Sequence, residues 1–125
     1  MRKIKITVGN YLFEAFINDT STANVIFEHL PINGKAIRWG DEIYFYVDLN
    51  ISLENDARQD VEIGDLGYWP DGPALCIFFG KTPVSISEKP RAYSPVNIFG
   101  KITSNTNDLK KVKNGEFIVF EKDSD

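Results

Sequence analysis

The chain has 125 residues, a length typical of one domain over 1–125, and 42% of them are hydrophobic, which excludes general disorder. Its single cysteine excludes an internal disulfide and favours a reducing, cytoplasmic compartment. A net charge of −4 argues against nucleic acid as a partner, and the lack of a signal-peptide pattern or a long apolar span argues against secretion and membrane insertion.

The chain begins with a predicted β-hairpin. The segments "RKIKITV" and "YLFEAFI" flank Gly9-Asn10, a two-residue turn with glycine first, which is typical of a II′ turn. This turn places Ile6 opposite Phe13 on one face of the hairpin and Lys5 opposite Glu14 on the other. The resulting register is self-consistent, because one face is apolar and the other carries an opposite-charge pair.

A helix is predicted next, over "DTSTANVIFEHLP". Thr20 or Ser21 can cap its first turn, apolar residues recur at helical spacing, and Pro31 ends it.

Two strands follow, "GKAIRW" and "EIYFYV", with a turn at Gly40-Asp41 between them. Alternation puts Ile43 and Phe45 on one face of the second strand. Its other face carries one carboxylate and two phenols, those of Glu42, Tyr44 and Tyr46.

The remaining segments are predicted mainly as strands. Residues 50–59 indicate an exposed loop, "DVEIGDLGYW" a strand, "ALCIFF" a strand buried on both faces, and "KTPVSISEKPRAYSPVN" a long loop. "IFGKITS" and "EFIVFEK" complete the set, with a short polar turn or helix near residues 108–112. About seven or eight strands and one helix predict a mainly β fold, either a closed or nearly closed barrel or an α+β sandwich.

Two segments carry a family resemblance. "RWGDEIYFYV" followed by "VEIGDLGYWPDGPALCIFFGKTP" resembles the cyclophilin-like family of small bacterial and archaeal proteins, most of them of unassigned function. The matching features are a Trp-Gly-x-Glu-x-Tyr-Phe segment, a Gly-Asp-x-x-Tyr-Trp-Pro stretch, and an apolar strand ending in Gly-x-Thr-Pro. The likeness extends over nearly the whole chain, and it implies a cyclophilin-like closed β-barrel of about eight strands with one α-helix.

The resemblance also raises prolyl isomerase activity. True cyclophilins carry a Phe-His-Arg segment, whose arginine polarises the prolyl amide, and a Phe-Met-x-Gln-Gly-Gly-Asp segment. Neither string occurs in this chain, its only histidine is His29 in the predicted helix, and Arg38 and Arg91 lie outside such motifs. We therefore assign no catalytic residue and lean away from an enzyme.

Metal and nucleophile chemistry find no support in the sequence. His29 and Cys76 are far apart and give no zinc spacing, and the acidic residues between 54 and 62 do not fit a calcium loop. Cys76 lies within "ALCIFF", where a cysteine behaves as a small buried apolar residue. We expect no metal and no cofactor.

The polar face that carries Glu42 has two interpretations, a ligand-binding groove and a structural role. Its carboxylate and neighbouring phenols can hold a cation, an amine or a peptide segment, or Glu42 can instead fix the barrel by bonding backbone amides. Trp69 either stacks on a ligand or caps the core. Arg91 and Tyr93 either form one rim of the groove or lie exposed.

The sequence thus predicts a non-catalytic domain that binds a small molecule or a short peptide. The candidate ligand-binding residues are Glu42, Tyr44, Tyr46, Tyr68, Trp69 and Arg91. Two alternatives remain open, which are a diverged prolyl isomerase or other enzyme using Glu42, and a subunit that binds another protein through an exposed wall or edge strand. The oligomeric state is not specified by the sequence.

Overall fold

The computed structural model describes residues 2–123, which form ten antiparallel strands and one α-helix. The elements in chain order are β1 Arg2–Val8, β2 Tyr11–Ile17, α1 Ser21–His29, β3 Ile32–Lys35, β4 Ile37–Trp39, β5 Glu42–Tyr46, β6 Arg58–Asp60, β7 Asp65–Trp69, β8 Ala74–Phe78, β9 Arg91–Ile102, a 3₁₀ helix Asn107–Lys111, and β10 Phe117–Lys122. No helix within residues 2–123 has the length and apolar character needed to cross a membrane.

The strands pair in the order β3-β10-β1-β2-β9-β7-β8-β5-β4, and β6 pairs with β9 outside this path. The two end strands, β3 and β4, follow one another in the chain with only Ala36 between them. Because one residue separates them, the two ends of the sheet also lie close together in space, and the sheet is curled. The path of paired strands is nevertheless open, so the closed barrel of about eight strands predicted above is corrected to an open sheet of ten.

One of the two additional strands arises at Ala36, and the other is β6. The sequence predicts one strand over "GKAIRW", but two short strands form there and pair with different neighbours, β3 with β10 and β4 with β5. The Ala36 amide donates to the Glu116 carbonyl at 2.8 Å, and the Gly115 amide donates to the Ala36 carbonyl at 2.8 Å. These bonds hold the residue at which the chain leaves one strand and enters the next.

The opening hairpin is confirmed in its register. Ile6 pairs with Phe13 and Lys5 with Glu14. Gly9 has φ +57°, and no non-glycine residue among residues 2–123 has positive φ, which fits a II′ turn with glycine first.

The helix is confirmed as well. It begins at Ser21, after Thr20, whose hydroxyl oxygen accepts from the Ala23 amide at 3.2 Å. It ends at His29, two residues before Pro31. Ala23 and Ile26 bury its apolar side in the main core.

The main core lies on the inner face of the sheet, and aromatic side chains fill its centre. The Phe45 and Phe120 ring centroids are 5.5 Å apart, and those of Phe99 and Phe120 are 6.4 Å apart. All three side chains are fully buried. Large aromatic side chains such as these dominate the energetics of a protein core.

The ninth strand differs from its prediction. The sequence predicts a loop up to residue 97, but β9 begins at Arg91, and its first half pairs with β6 through Arg58↔Val96 and Asp60↔Arg91. Three residues of β6 thus face six residues of β9, so the ladder is strongly bulged. Pro95 lies in this bulge, where its missing amide costs no ladder bond.

Because of this pairing, the first half of β9 covers the outer face of the sheet. Val61, Cys76, Phe78, Ala92 and Val96 form a second, smaller buried cluster there. The sheet is consequently buried on both faces along β8, as its continuous apolar sequence predicts.

Candidate functional site

A pocket of about 160 Å³ opens beside this outer cluster. Five aromatic side chains line it, those of Trp39, Tyr44, Tyr46, Trp69 and Tyr93. The rest of its wall is formed by Glu42, Cys76, Ala92 and Val96. We call it the aromatic pocket.

Strand register brings these side chains to one face. The β4–β5 hairpin turns at Gly40, which has φ +60°, and pairs Trp39 with Glu42. The β5–β8 ladder pairs Tyr44 with Cys76. Paired residues point to the same side of a sheet, so one hairpin and one ladder place four lining residues together.

The rings meet edge to face. Trp69 and Tyr93 have centroids 6.1 Å apart at 81°, Trp39 and Tyr93 are 6.1 Å apart at 73°, and Tyr44 and Trp69 are 6.5 Å apart at 77°. The Trp69 indole Nε1 donates to the Ser94 hydroxyl at 2.7 Å, which fixes its plane. These edge-to-face contacts hold the rings at steep angles to one another around the pocket.

Glu42 is the charged group of the pocket. Its side chain is buried, and its Oε1 atom has no hydrogen-bond partner. Burial raises the pKa of this carboxyl from 4.5 to about 7, and the neighbouring Cys76 thiol acts in the opposite direction. Burial and the nearby Glu42 in turn raise the pKa of the Cys76 thiol well above its usual value, so this thiol is not a ready nucleophile.

Two of the predicted ligand-binding residues lie elsewhere. The Tyr68 side chain is buried in the main core, where its hydroxyl donates to the Leu49 carbonyl at 3.0 Å and accepts from the Ile51 amide at 3.1 Å. Arg91 is directed towards β6, and its Nη2 donates to the Gln59 Oε1 atom at 3.2 Å. Neither side chain lines the aromatic pocket.

The structure brings together the other four predicted residues, Glu42, Tyr44, Tyr46 and Trp69. It adds Trp39, which the sequence reasoning did not select, although a turn at Gly40-Asp41 already places Trp39 opposite Glu42. It also places Tyr93 on the wall, as one of the two interpretations of that residue requires.

Two other kinds of site have less support in the structure. Within residues 2–123, no group of three or more His, Cys, Asp or Glu side chains is placed to hold a metal ion. A shallower groove of about 430 Å³ lies next to Asp41 and Phe79. The Asp41 carboxylate already pairs there with Arg38 at 3.1 Å and Lys110 at 3.0 Å.

The fold and the site define a β-rich protein with a preformed aromatic pocket on the outer face of its sheet. The chain belongs to the cyclophilin-like family, whose family model matches residues 2–121. It is similar to the solution structure of a hypothetical protein from Archaeoglobus fulgidus, at 37% identity over 98% of this chain and 95% of that one, with a TM-score of 0.80. A search of curated proteins finds no match.

Proposed function

We propose that the protein binds a small molecule, or a small group on a short peptide, in the aromatic pocket, and that it does so without catalysing a reaction. One observation carries this proposal, which is the buried Glu42 carboxyl with an unpartnered oxygen inside a wall of five aromatic rings. A buried polar group without a partner costs free energy in the empty protein, and a ligand that bonds it removes that cost.

The size of the pocket limits the ligand. A volume of about 160 Å³ is below the ~300–1,000 Å³ that holds drug-sized ligands. It is close to the ~150 Å³ engineered cavity that binds benzene. The aromatic pocket therefore suits a compact group, and any larger part of the ligand would extend past the exposed rings of Tyr46 and Tyr93.

A ligand screen tests the proposal. Thermal shift against metabolites, amines and short peptides should give at least one saturable rise in melting temperature, since binding to the native state stabilises it by mass action. Trp69→Ala should lower the affinity of that ligand at least tenfold, because it removes one wall of the pocket. The control is Phe117→Ala, an exposed aromatic residue on β10 and outside the lining.

The proposal fails if the screen yields no ligand, or if each ligand found binds Trp69→Ala and the wild type equally well. Circular dichroism of the variant at the assay temperature shows whether the fold is retained.

An acid–base enzyme that uses Glu42 is a second candidate. A carboxyl with a pKa of about 7 can give and take a proton near neutral pH, which is the range that general acid–base catalysis favours. Turnover that is lost in Glu42→Gln, while substrate affinity is retained, would establish this alternative.

Prolyl isomerisation has less support. Arg38 donates to the carbonyls of Gly40 and Val112 at 2.8 and 2.9 Å, and Arg91 donates to Gln59. Among the residues that the structure describes, no arginine lines the aromatic pocket. A prolyl-peptide assay should therefore give no rate above the uncatalysed one.

A further inference from the structure

We propose that the group held in the aromatic pocket is a small organic ammonium cation, a methylated or quaternary amine, with the Glu42 carboxylate as its counter-ion. This inference rests on the proposed binding function and adds the class of ligand. Its grounds are the ring walls, the absence of a positive charge from the lining, and the volume of the pocket.

The ring walls favour a cation. The face of an aromatic ring is the negative part of its quadrupole, and Trp is the strongest of the three aromatic residues in attracting a cation. Both Trp39 and Trp69 line the pocket, joined through Tyr93 by edge-to-face contacts at 6.1 Å. Contacts of this kind are stronger where water is excluded than at exposed sites.

The charge of the pocket lining also favours a cation. Glu42 is its only carboxylate, and within residues 2–123 no Lys, Arg or His side chain lines the pocket to neutralise it. Ionisation of a buried carboxyl is unfavourable without an opposite charge nearby, and an ammonium ligand provides that charge. A compact trimethylammonium group is smaller than benzene, so the pocket can enclose it.

Protonation of Glu42 should make the affinity for a cation depend on pH. The groups that face it are the Cys76 thiol on β8, the phenols of Tyr44 and Tyr46 on its own strand, and the phenol of Tyr93 on β9. The facing residue of β4 is Trp39, which does not titrate.

The ionised side chains nearest on β6 and β9 engage one another outside the lining, with Arg91 Nε 3.7 Å from Asp60 Oδ1. Burial holds the pKa of Glu42 at about 7 in the empty pocket, so a cation that binds below this pH displaces a proton. The apparent affinity then falls about tenfold per pH unit below 7 and levels off above it.

Two probes of the same shape test the proposal. Choline is a cation at every pH, and 3,3-dimethyl-1-butanol is its neutral isostere. Titration calorimetry of the wild-type protein at pH 8 should give a choline affinity at least tenfold higher than that of the alcohol. The choline affinity should be about a hundredfold lower at pH 5 than at pH 8, whereas that of the alcohol should not follow this profile.

A variant isolates the carboxylate. Glu42→Gln keeps the shape of the side chain and removes its charge, so choline affinity at pH 8 should fall at least tenfold and its pH dependence should disappear. Glu28→Gln, on the exposed side of α1, is the matched control and should bind as the wild type does.

The outcomes separate this inference from the proposed function. If the alcohol binds as tightly as choline, or if N,N-dimethylacetamide binds and its affinity falls above pH 7, the ammonium inference is wrong and the binding function stands. The second result would mean that protonated Glu42 donates to a neutral acceptor. If none of these probes binds and the broader screen yields no ligand, both proposals are overturned.

Discussion

The two faces of β5 differ in chemistry although they belong to the same five-residue strand. On the inner face, Ile43 and Phe45 are buried in the main hydrophobic core. On the outer face, Glu42 is also buried, but Oε1 has no hydrogen-bond partner, and Tyr46 is 57% exposed. The inner face therefore stabilises the fold, whereas the outer face holds a polar group at a cost to stability, which is a common property of binding sites.

The largest expected effect lies on the inner face. Phe45→Ala should reduce the free energy of unfolding by ~3–5 kcal/mol, because it leaves a cavity beside Phe120. Tyr46→Ala, on the same strand but facing out, should change it by less than ~1 kcal/mol. Urea unfolding of both variants measures this, and equal losses would contradict the division between the two faces.

The next effect concerns the pH dependence of stability. Folding raises the pKa of Glu42 from 4.5 to about 7, because burial favours the neutral carboxyl. The stability that comes from this protonated form is therefore fully present below pH 4.5 and is lost as the pH rises to about 7. The wild type should therefore lose up to ~3 kcal/mol relative to Glu42→Gln over this range. Denaturation of both proteins at several pH values checks this, since other carboxyls cancel in the comparison, and parallel curves would show that Glu42 titrates normally.

A smaller effect is expected at Tyr68. Tyr68→Phe leaves the Leu49 carbonyl and the Ile51 amide without their partner and should cost ~1–2 kcal/mol of stability. Ligand affinity should stay within twofold of the wild type, because this side chain lies in the main core. Calorimetry on the variant measures that affinity, and a loss of binding would place Tyr68 at the site after all.

The smallest effect is expected at Arg91. Its ion pair with the exposed Asp60 has a 3.7 Å separation, so Arg91→Gln should cost less than ~1 kcal/mol. Choline affinity should be unchanged. A marked drop in affinity, measured by the same titration, would mean that the guanidinium turns into the pocket when a ligand binds.

Local pairing explains how much of the fold was predictable. Two residues at Gly9-Asn10 fix the turn of the first hairpin, and alternation then fixes which residues face each other. The same logic applies to the turn at Gly40-Asp41, and it correctly assigned the two faces of β5. These features depend on neighbours in sequence, and a sequence contains that information directly.

The first half of β9, which covers the outer face of the sheet, was not predictable in this way. Pro90 and Pro95 argue against a strand over residues 90–97, and the bulge that accommodates Pro95 depends on β6, a distant three-residue strand. Without the first half of β9, the outer face carrying Glu42 would be expected to face solvent. The burial of this carboxyl, and with it the pocket, is therefore a long-range property of the fold.

The candidate ligand-binding residues also divide into those that local pattern places correctly and those that depend on long-range structure. Tyr44 and Tyr46 follow from alternation along one strand. The sequence analysis assigns both Tyr68 and its neighbour Trp69 to the ligand, but adjacent residues of a strand face opposite sides, so only one of them can line the pocket. Arg91 depends on the course of β9 and could not be placed by local reasoning.

Both tryptophans of the chain, Trp39 and Trp69, lie in the wall of the aromatic pocket. Their intrinsic fluorescence therefore arises entirely from the site, with no background from the main core. Excitation of the indoles should report occupancy, solvent entry and the charge state of Glu42 without any attached dye. The protein in this sense carries its own optical reporter, which makes a broad ligand search feasible on unmodified material.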